Sequence, residues 1–319
     1  MESMNRTAPP GWHRRDFLQA GSAGLLGLLW TGRAWAQPAG EAGLSPRAAP
    51  EALDGPPIVS ARAWAVAEGN TGRFLWGARE GLELNMASTT KIMTAWVVLR
   101  LAERRRGLLD ETMVISRRAA QTPGSSAQIR AGDRYVVRDL LYGLMLPSGN
   151  DAATALAEHC GPYCGEPTNA SAPADAFVMH MNRHAGLLQM AETYYFDPHG
   201  LGRNRTSARD LTKLAREVMQ NSQFRAYVRT RRHQNEVVGA EGARRTVTWN
   251  NTNRLLDIEG YDGIKTGTTT AAGACLVASG RRGSDHLFVV VLGATSNDGR
   301  YVDARNLFRW AWRERGHRS

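Results

Sequence analysis

Hydrophobic positions along this chain change period twice, and the changes divide it into three stretches. From Ile58 to Ala67 residues rich in Val, Ala and Trp alternate with smaller or polar ones, the period of a strand. Gly69-Asn70-Thr71-Gly72 offers a turn, and Arg73 to Trp76 returns as a second strand, so the segment predicts a hairpin. From Lys91 to Glu103 the apolar residues Ile92, Met93, Trp96, Val97 and Leu99 recur at helical spacing, which places Ser88 at a helix N-terminus. The helical period then governs most of Arg138 to Gln220. It predicts helices at Arg138 to Leu146 and Asp151 to His159, broken by Pro147-Ser148-Gly149, and two more at Ala176 to Met190 and Ala208 to Met219. Ser207 is the expected cap of the last of these. Short β-type runs follow at Ile264 to Thr268, Ala274 to Ala278 and His286 to Leu292. A closing amphipathic helix, Asn297 to Arg313, carries Val302, Leu307, Phe308 and Trp310. Strands at both ends with helices between them predict an α+β fold: one antiparallel β-sheet built from N- and C-terminal strands, packed with helices and an inserted helical lobe. A crevice between sheet and lobe is the expected place for a site. No internal repeat is visible.

The N-terminus reads as an address rather than as structure. Arg14-Arg15-Asp16-Phe17-Leu18 precedes a weakly apolar stretch from Ala20 to Trp30 and then Ala34-Trp35-Ala36, the layout of an export signal with a cleavage site. The arginine pair followed by Phe-Leu predicts the twin-arginine route. The apolar run falls short of the roughly 20 residues a membrane span needs. The expected organisation is therefore a signal over 1–36, a flexible Pro/Ala-rich leader over 37–57 and one catalytic domain over 58–319, located in the periplasm or cell-wall space. No permanent membrane anchor is expected after signal cleavage.

Charge changes this picture less than its sign suggests. The formal net charge is +10, which favours polyanionic neighbours such as an anionic membrane face or an acidic wall polymer. The arginines are scattered along the whole chain, however, so a general arginine bias accounts for most of it. No zinc-finger spacing, aromatic RNA signature or long basic helix supports a nucleic-acid partner. Cys160 and Cys164 bracket Gly161-Pro162-Tyr163 and are equally compatible with a small disulfide loop and with free thiols. Cys275 lies in an apolar run and reads as a buried small hydrophobe. His180 and His184 stand four apart on a helix without an evident third ligand, so they read as a solvated helix face, and no metal is expected.

Lysine is the informative residue. Of the 40 basic residues 37 are arginine, and the three lysines are Lys91, Lys213 and Lys265. Arginine cannot lose its proton in a protein, whereas a lysine amine can be tuned into a base. Lys91 closes Ser88-Thr89-Thr90-Lys91, which sets a hydroxyl and an amine one turn apart on one helical face. A serine hydroxyl becomes a nucleophile only when a base takes its proton, and a lysine does this only when burial or a nearby positive charge lowers its pKa. Lys265, opening Lys265-Thr266-Gly267-Thr268, supplies such a charge and a hold for an anionic substrate. Ser148-Gly149-Asn150 lies between the two in sequence. Singly each triplet is weak; in this order they point to an active-site serine enzyme.

The three segments together resemble those of the serine D-alanyl-D-alanine carboxypeptidases, low-molecular-mass penicillin-binding proteins related to the serine β-lactamases. Ala87-Ser88-Thr89-Thr90-Lys91-Ile92-Met93-Thr94 is similar to the nucleophile segment of that family. Ser148-Gly149-Asn150-Asp151-Ala152 is similar to its second motif, and Asp262-Gly263-Ile264-Lys265-Thr266-Gly267-Thr268-Thr269 with Ala272-Gly273 to its third. Phe196-Asp197-Pro198-His199-Gly200-Leu201 resembles a family loop, in which His199 is expected to stabilise rather than react. The resemblance runs from about Ile58 to the end and implies a β-lactamase/transpeptidase-like fold. It further implies acyl transfer on peptidoglycan stem peptides ending in D-Ala-D-Ala, without a cofactor and with β-lactam antibiotics as covalent inhibitors. Ser88 is then the nucleophile, Lys91 its base and Ser148 a proton relay. Asn150 binds substrate or positions Lys91. Lys265, Thr266, Gly267 and Thr268 form the substrate-binding strand, with the N–H groups of Ser88 and Thr268 as the oxyanion hole.

Three rival readings share these motifs. A DD-endopeptidase cutting D-Ala crosslinks uses the same residues, and the lack of a second β-rich domain and tail after Arg313 raises its standing. A class A β-lactamase needs a glutamate loop, for which Glu166-Pro167-Thr168-Asn169 is a poor match: it lies 16 residues after Asn150, and its asparagine follows the glutamate by three positions rather than four. A non-catalytic wall-binding or penicillin-sensing module is disfavoured because Ser88 and Lys91 are intact.

Overall fold

The computed structural model describes residues 55–165 and 172–317. The expected signal, nearly all of the leader and Glu166-Pro167-Thr168-Asn169 lie outside the described residues. The chain enters the fold as β1 (Ala63–Glu68) and returns as β2 (Phe74–Ala78). After the short β3 (Leu84–Asn85), one 3₁₀ turn over Ala87–Thr90 runs directly into α1 (Lys91–Arg104). β4 (Thr112–Val114), α2 (Arg117–Ala120) and β5 (Arg134–Val136) lead to α3 (Val137–Met145) and α4 (Asn150–Cys160). Next come α5 (Pro173–Leu187), β6 (Arg205–Thr206), α6 (Ala208–Val218) and α7 (Ser222–Arg229). A hairpin of β7 (Arg232–Val238) and β8 (Arg244–Asn250) precedes β9 (Tyr261–Thr269), β10 (Gly273–Arg282) and β11 (Asp285–Ala294), and α8 (Gly299–Glu314) follows.

The expected sheet is present and fully antiparallel, in the order β2-β1-β11-β10-β9. Strand β1 pairs with β11 from Ala63 opposite Leu292 to Glu68 opposite Leu287, so the two ends of the domain meet at its centre. Successive side chains serve opposite faces. Ala63, Ala65, Val277, Phe288, Val290 and Leu292 join the core shared with the helical lobe. Trp64, Val66, Leu276, Leu287, Val289 and Val291 join a second core under α8. Both faces are covered, which is why Leu287 to Leu292 reads as an unbroken apolar run. On the α8 side Trp310 sits edge-on to Trp64 at 6.1 Å and against Trp76 at 4.8 Å. Helix α1 lies in the main core, with ten of its 14 residues buried.

Several expectations need correction. The first strand starts at Ala63, not Ile58; Ile58 is 93% exposed and has no core to enter. Val302 is exposed on α8, where Tyr301 and Ala304 carry the packing instead. His180 and His184 do not form a solvated face. Both are buried, with rings 4.8 Å apart, and burial lowers both pKa values, His184 to about 4. The three cysteines are buried free thiols. A second sheet in the order β4-β5-β7-β8, together with α7, was not anticipated. Its strands alternate exposed and half-buried residues, and only Val237, Val247 and Trp249 of the β7–β8 hairpin enter the core, so the apolar signal was thin. The cap on α6 is as expected, with Ser207 accepting from the Asp210 N–H.

Candidate active site

Ser88 stands in the 3₁₀ turn rather than in the first turn of α1, and its neighbours pin that turn in place. The Thr89 hydroxyl donates to the Met86 carbonyl at 2.6 Å and the Thr90 hydroxyl to the Ala87 carbonyl at 2.8 Å. Both threonines are fully buried, so these bonds carry no competition from water. The turn continues into α1, which brings the Lys91 amine back towards Ser88.

That amine has three partners. Lys91 Nζ lies 2.9 Å from Ser88 Oγ, 2.6 Å from Asn150 Oδ1 and 2.8 Å from the His199 carbonyl. A protonated amine donates to all three. A neutral amine keeps two N–H bonds, to Asn150 and His199, and turns its lone pair to the serine proton. Burial drives the Lys91 pKa well below its ordinary value, and the Lys265 charge lowers it further, against the opposing pull of Asp197 and Asp151. Both effects bring the neutral form, the one that acts as a base, within easier reach.

Each partner is itself held. Asn150 opens α4 and its amide nitrogen donates to the Pro123 carbonyl at 2.7 Å, which turns Oδ1 towards Lys91. The His199 carbonyl is fixed by a knotted loop. Asp197 accepts from the N–H groups of His199 (2.9 Å) and Gly202 (2.7 Å), and the His199 ring lies 2.8 Å away. Burial alone would raise the Asp197 pKa, but the His199 contact and the backbone N–H groups outweigh it and hold the carboxyl well below its usual range. Asn204, 1% exposed, bonds to Phe196 and Asp197 and reaches Thr90 Oγ1 at 3.0 Å, tying the loop to the serine turn. Thr94 on α1 donates to the Pro198 carbonyl at 2.6 Å.

Ser148 occupies a left-handed conformation (φ 65°) in the break between α3 and α4. Its hydroxyl is buried and has no hydrogen-bond partner among the described residues. A buried unpartnered hydroxyl costs about 1–3 kcal/mol.

Strand β9 forms the opposite wall. Gly267 is there because a Cβ would meet the Ser88 nitrogen at 2.8 Å and the Thr89 nitrogen at 3.0 Å. Its lack of a side chain lets β9 lie against the turn that carries Ser88. The buried Lys265 has a single hydrogen-bond acceptor, the Thr266 carbonyl at 3.0 Å. Burial and the charge of Arg300 push its pKa down to about 7. Arg300, on the first turn of α8 and 7% exposed, donates to the Gly267 carbonyl (3.2 Å) and to Thr268 Oγ1 (2.9 Å). Among the described residues neither cation has an ion-pair partner, so the wall is built to receive an anion. Sequence reasoning missed Arg300, Asn204 and Thr252. Arginine is too common in this chain for one to stand out, and a lone Asn or Thr carries no spacing signal.

Of the residues singled out from the sequence, Ser88, Lys91 and Asn150 are joined by hydrogen bonds, and the Gly267 backbone packs against the Ser88 turn. Lys265, on the same strand as Thr266 and Thr268, is near enough to Lys91 to lower its pKa; Ser148 lies in the break just before Asn150. Among the described residues no group of three or more His, Cys, Asp or Glu side chains is placed to hold a metal ion. A serine hydroxyl on a deprotonatable buried lysine, facing an anion-binding strand, in an α+β fold of this topology, is the apparatus of a serine acyl-transfer enzyme.

The comparisons with known proteins agree and are more specific. The peptidase S11 family, D-alanyl-D-alanine carboxypeptidase, matches residues 51–296. A D-alanyl-D-alanine carboxypeptidase of Streptomyces sp. (strain K15) is 37% identical over 283 residues, covering 86% of this chain and 93% of that protein. The crystal structure of the Streptomyces K15 DD-transpeptidase superposes with a TM-score of 0.74 at 35% identity, over 81% of this chain and 99% of that one. A D-alanyl-D-alanine endopeptidase of Pseudomonas aeruginosa is 32% identical over 249 residues, covering 77% of this chain and 75% of that protein. The chain belongs to the D-alanyl-D-alanine carboxypeptidase family and is a serine-type hydrolase of that family.

Proposed function

We propose that the protein removes the terminal D-Ala from peptidoglycan stem pentapeptides through an acyl-enzyme on Ser88. The observation that carries this reading is the Lys91 amine, fully buried and held between Ser88 Oγ, Asn150 Oδ1 and the His199 carbonyl. Neutral Lys91 takes the Ser88 proton as Oγ attacks the carbonyl carbon of the penultimate D-Ala. The N–H groups of Ser88 and Thr268 receive the developing oxyanion. Lys265, Thr266 and Thr268, backed by Arg300, hold the terminal carboxylate. As the peptide bond breaks, a proton passes through Ser148 to the leaving amine, and free D-Ala departs. Water, deprotonated by the same lysine, then hydrolyses the ester and returns Ser88. General-base catalysis of this kind is worth about 10²–10⁴-fold. A β-lactam presents a strained amide and a carboxylate in the same relation and acylates Ser88.

The same geometry accepts a crosslinked stem whose leaving amine belongs to a second peptide, and the relative named an endopeptidase supports this second reading. Export to the periplasm or wall space, by the twin-arginine route read at Arg14-Arg15, completes the proposal, with the domain limits 1–36, 37–57 and 58–319. Among the described residues no helix is long and apolar enough to cross a membrane.

Digestion of purified crosslinked peptidoglycan, with products identified by mass spectrometry and Ser88→Ala alongside, tests the reading. Free D-Ala with crosslinks intact is the expected result. Dimers collapsing to monomers would make the enzyme an endopeptidase, and equal product from Ser88→Ala would sink the serine mechanism.

A further inference from the structure

Thr252 belongs to none of the three motifs, yet each of its polar groups grips a different part of the crevice. Its N–H donates to the Leu146 carbonyl at 3.1 Å, just before the Pro147-Ser148-Gly149 break. Its carbonyl accepts from the Tyr301 hydroxyl at 2.8 Å, on α8 next to Arg300. Its hydroxyl lies 2.7 Å from the hydroxyl of Thr266, which has no other hydrogen-bond partner among the described residues.

We infer that Thr252 is a positioning residue that fixes the Thr266 hydroxyl as a donor towards the terminal carboxylate of the substrate. The inference rests on the proposed assignment of Thr266 to that carboxylate. A carboxylate only accepts, so Thr266 has to direct its single proton to the substrate. The bond between the two threonines then runs one way, with Thr252 donating. Among the described residues the Thr252 hydroxyl has no competing partner, and two backbone bonds hold its position. Thr266 is 4% exposed, whereas Thr252 is open to solvent. Hydroxyls in series polarise one another, which strengthens the terminal bond to the charged group. Thr252 also joins the second-motif turn to the third-motif strand, so the donor is aimed relative to Ser148 as well.

The test compares Thr252→Val, which keeps the shape and removes the hydroxyl, with Thr252→Ser, which keeps the hydroxyl. Each is assayed on a peptide ending in D-Ala-D-Ala as the free acid and on the same peptide as its C-terminal carboxamide. Thr252→Val is expected to lower kcat/KM on the free acid about fivefold, the size of one net hydrogen bond between neutral groups, mainly through KM. The carboxamide rate stays unchanged and Thr252→Ser restores the free-acid rate. Adding Thr252→Val to Thr266→Val should then cost nothing more. Equal loss on both peptides, failure of serine to rescue, or additive losses in the double variant would each overturn the inference. If the valine variant does not fold, Thr252→Ala carries the same comparison. Absence of D-Ala release by the wild-type enzyme would instead count against the carboxypeptidase reading itself.

Discussion

In the proposed reaction the two lysines do opposite jobs because their surroundings differ. Lys91, with neutral acceptors and a second cation nearby, would work without its proton; Lys265 would have to keep its proton to hold a carboxylate. With Lys265 pushed down to about 7, the free enzyme loses that charge as pH rises through neutrality. We therefore expect kcat/KM on free-acid peptides to fall on the alkaline side, and Arg300→Gln, by removing the repelling charge, to move that limb to higher pH. A limb that stays in place in a pH–rate profile would show that Arg300 does not set the Lys265 charge. Asp197 gives a stability prediction of the opposite sign. Its pKa is depressed in the fold, so its contribution is present above the unfolded value of about 3.9 and is lost as pH falls below it. The urea midpoint of Asp197→Asn should fall clearly below that of the wild type at pH 7, with the gap narrowing below about pH 4. Ser88, Lys91 and Lys265 were legible in the sequence because lysine is rare here. Arg300, Asn204 and Thr252 were not, because each ties together segments far apart in sequence: Arg300 meets Thr268, Asn204 meets Thr90 and Thr252 meets Leu146.

At the level of elements, the contact between β9 and the turn before α1 decides whether the site exists. Gly267→Ala would put a methyl group against the Ser88 and Thr89 nitrogens and force the strand away from the nucleophile. Shifts of about 1 Å in such a constellation cost on the order of 10²-fold. Acylation of this variant by a fluorescent penicillin should slow by about that factor, while far-UV circular dichroism stays unchanged. Acylation at the wild-type rate would mean that the strand tolerates the methyl. The elements themselves were largely readable, since α1, α3, α4, α6, β9, β10 and β11 carry strong periodicity. The β7–β8 hairpin was missed because most of its side chains face solvent or the rim, so the pattern of two was never written in apolar residues.

For the whole molecule, the sheet and the lobe each bury one face on the other, and the three thiols are distributed through the two-sided interior. Cys160 sits at the end of α4, Cys164 just beyond it, and Cys275 in β10. Burial raises all three pKa values, Cys164 to about 12 and Cys275 to about 11. We expect a thiol reagent at pH 8 to label none of them in the folded enzyme and all of them once urea unfolds it, with labelling tracking the fluorescence transition. Rapid labelling of Cys160 and Cys164 alone would instead reveal local opening beside α5.

Strand β1 finds its inner neighbour, β11, more than two hundred residues further along the chain. A ribosome making this protein releases β1 long before β11. Throughout most of synthesis the apolar side chains of β1 therefore have no sheet to complete, and neither does the half-site carried by α1. Ser88 and Lys91 are likewise made well before β9, the strand against which their turn packs. The site is thus a product of the finished sheet, and no early piece of the chain carries it alone.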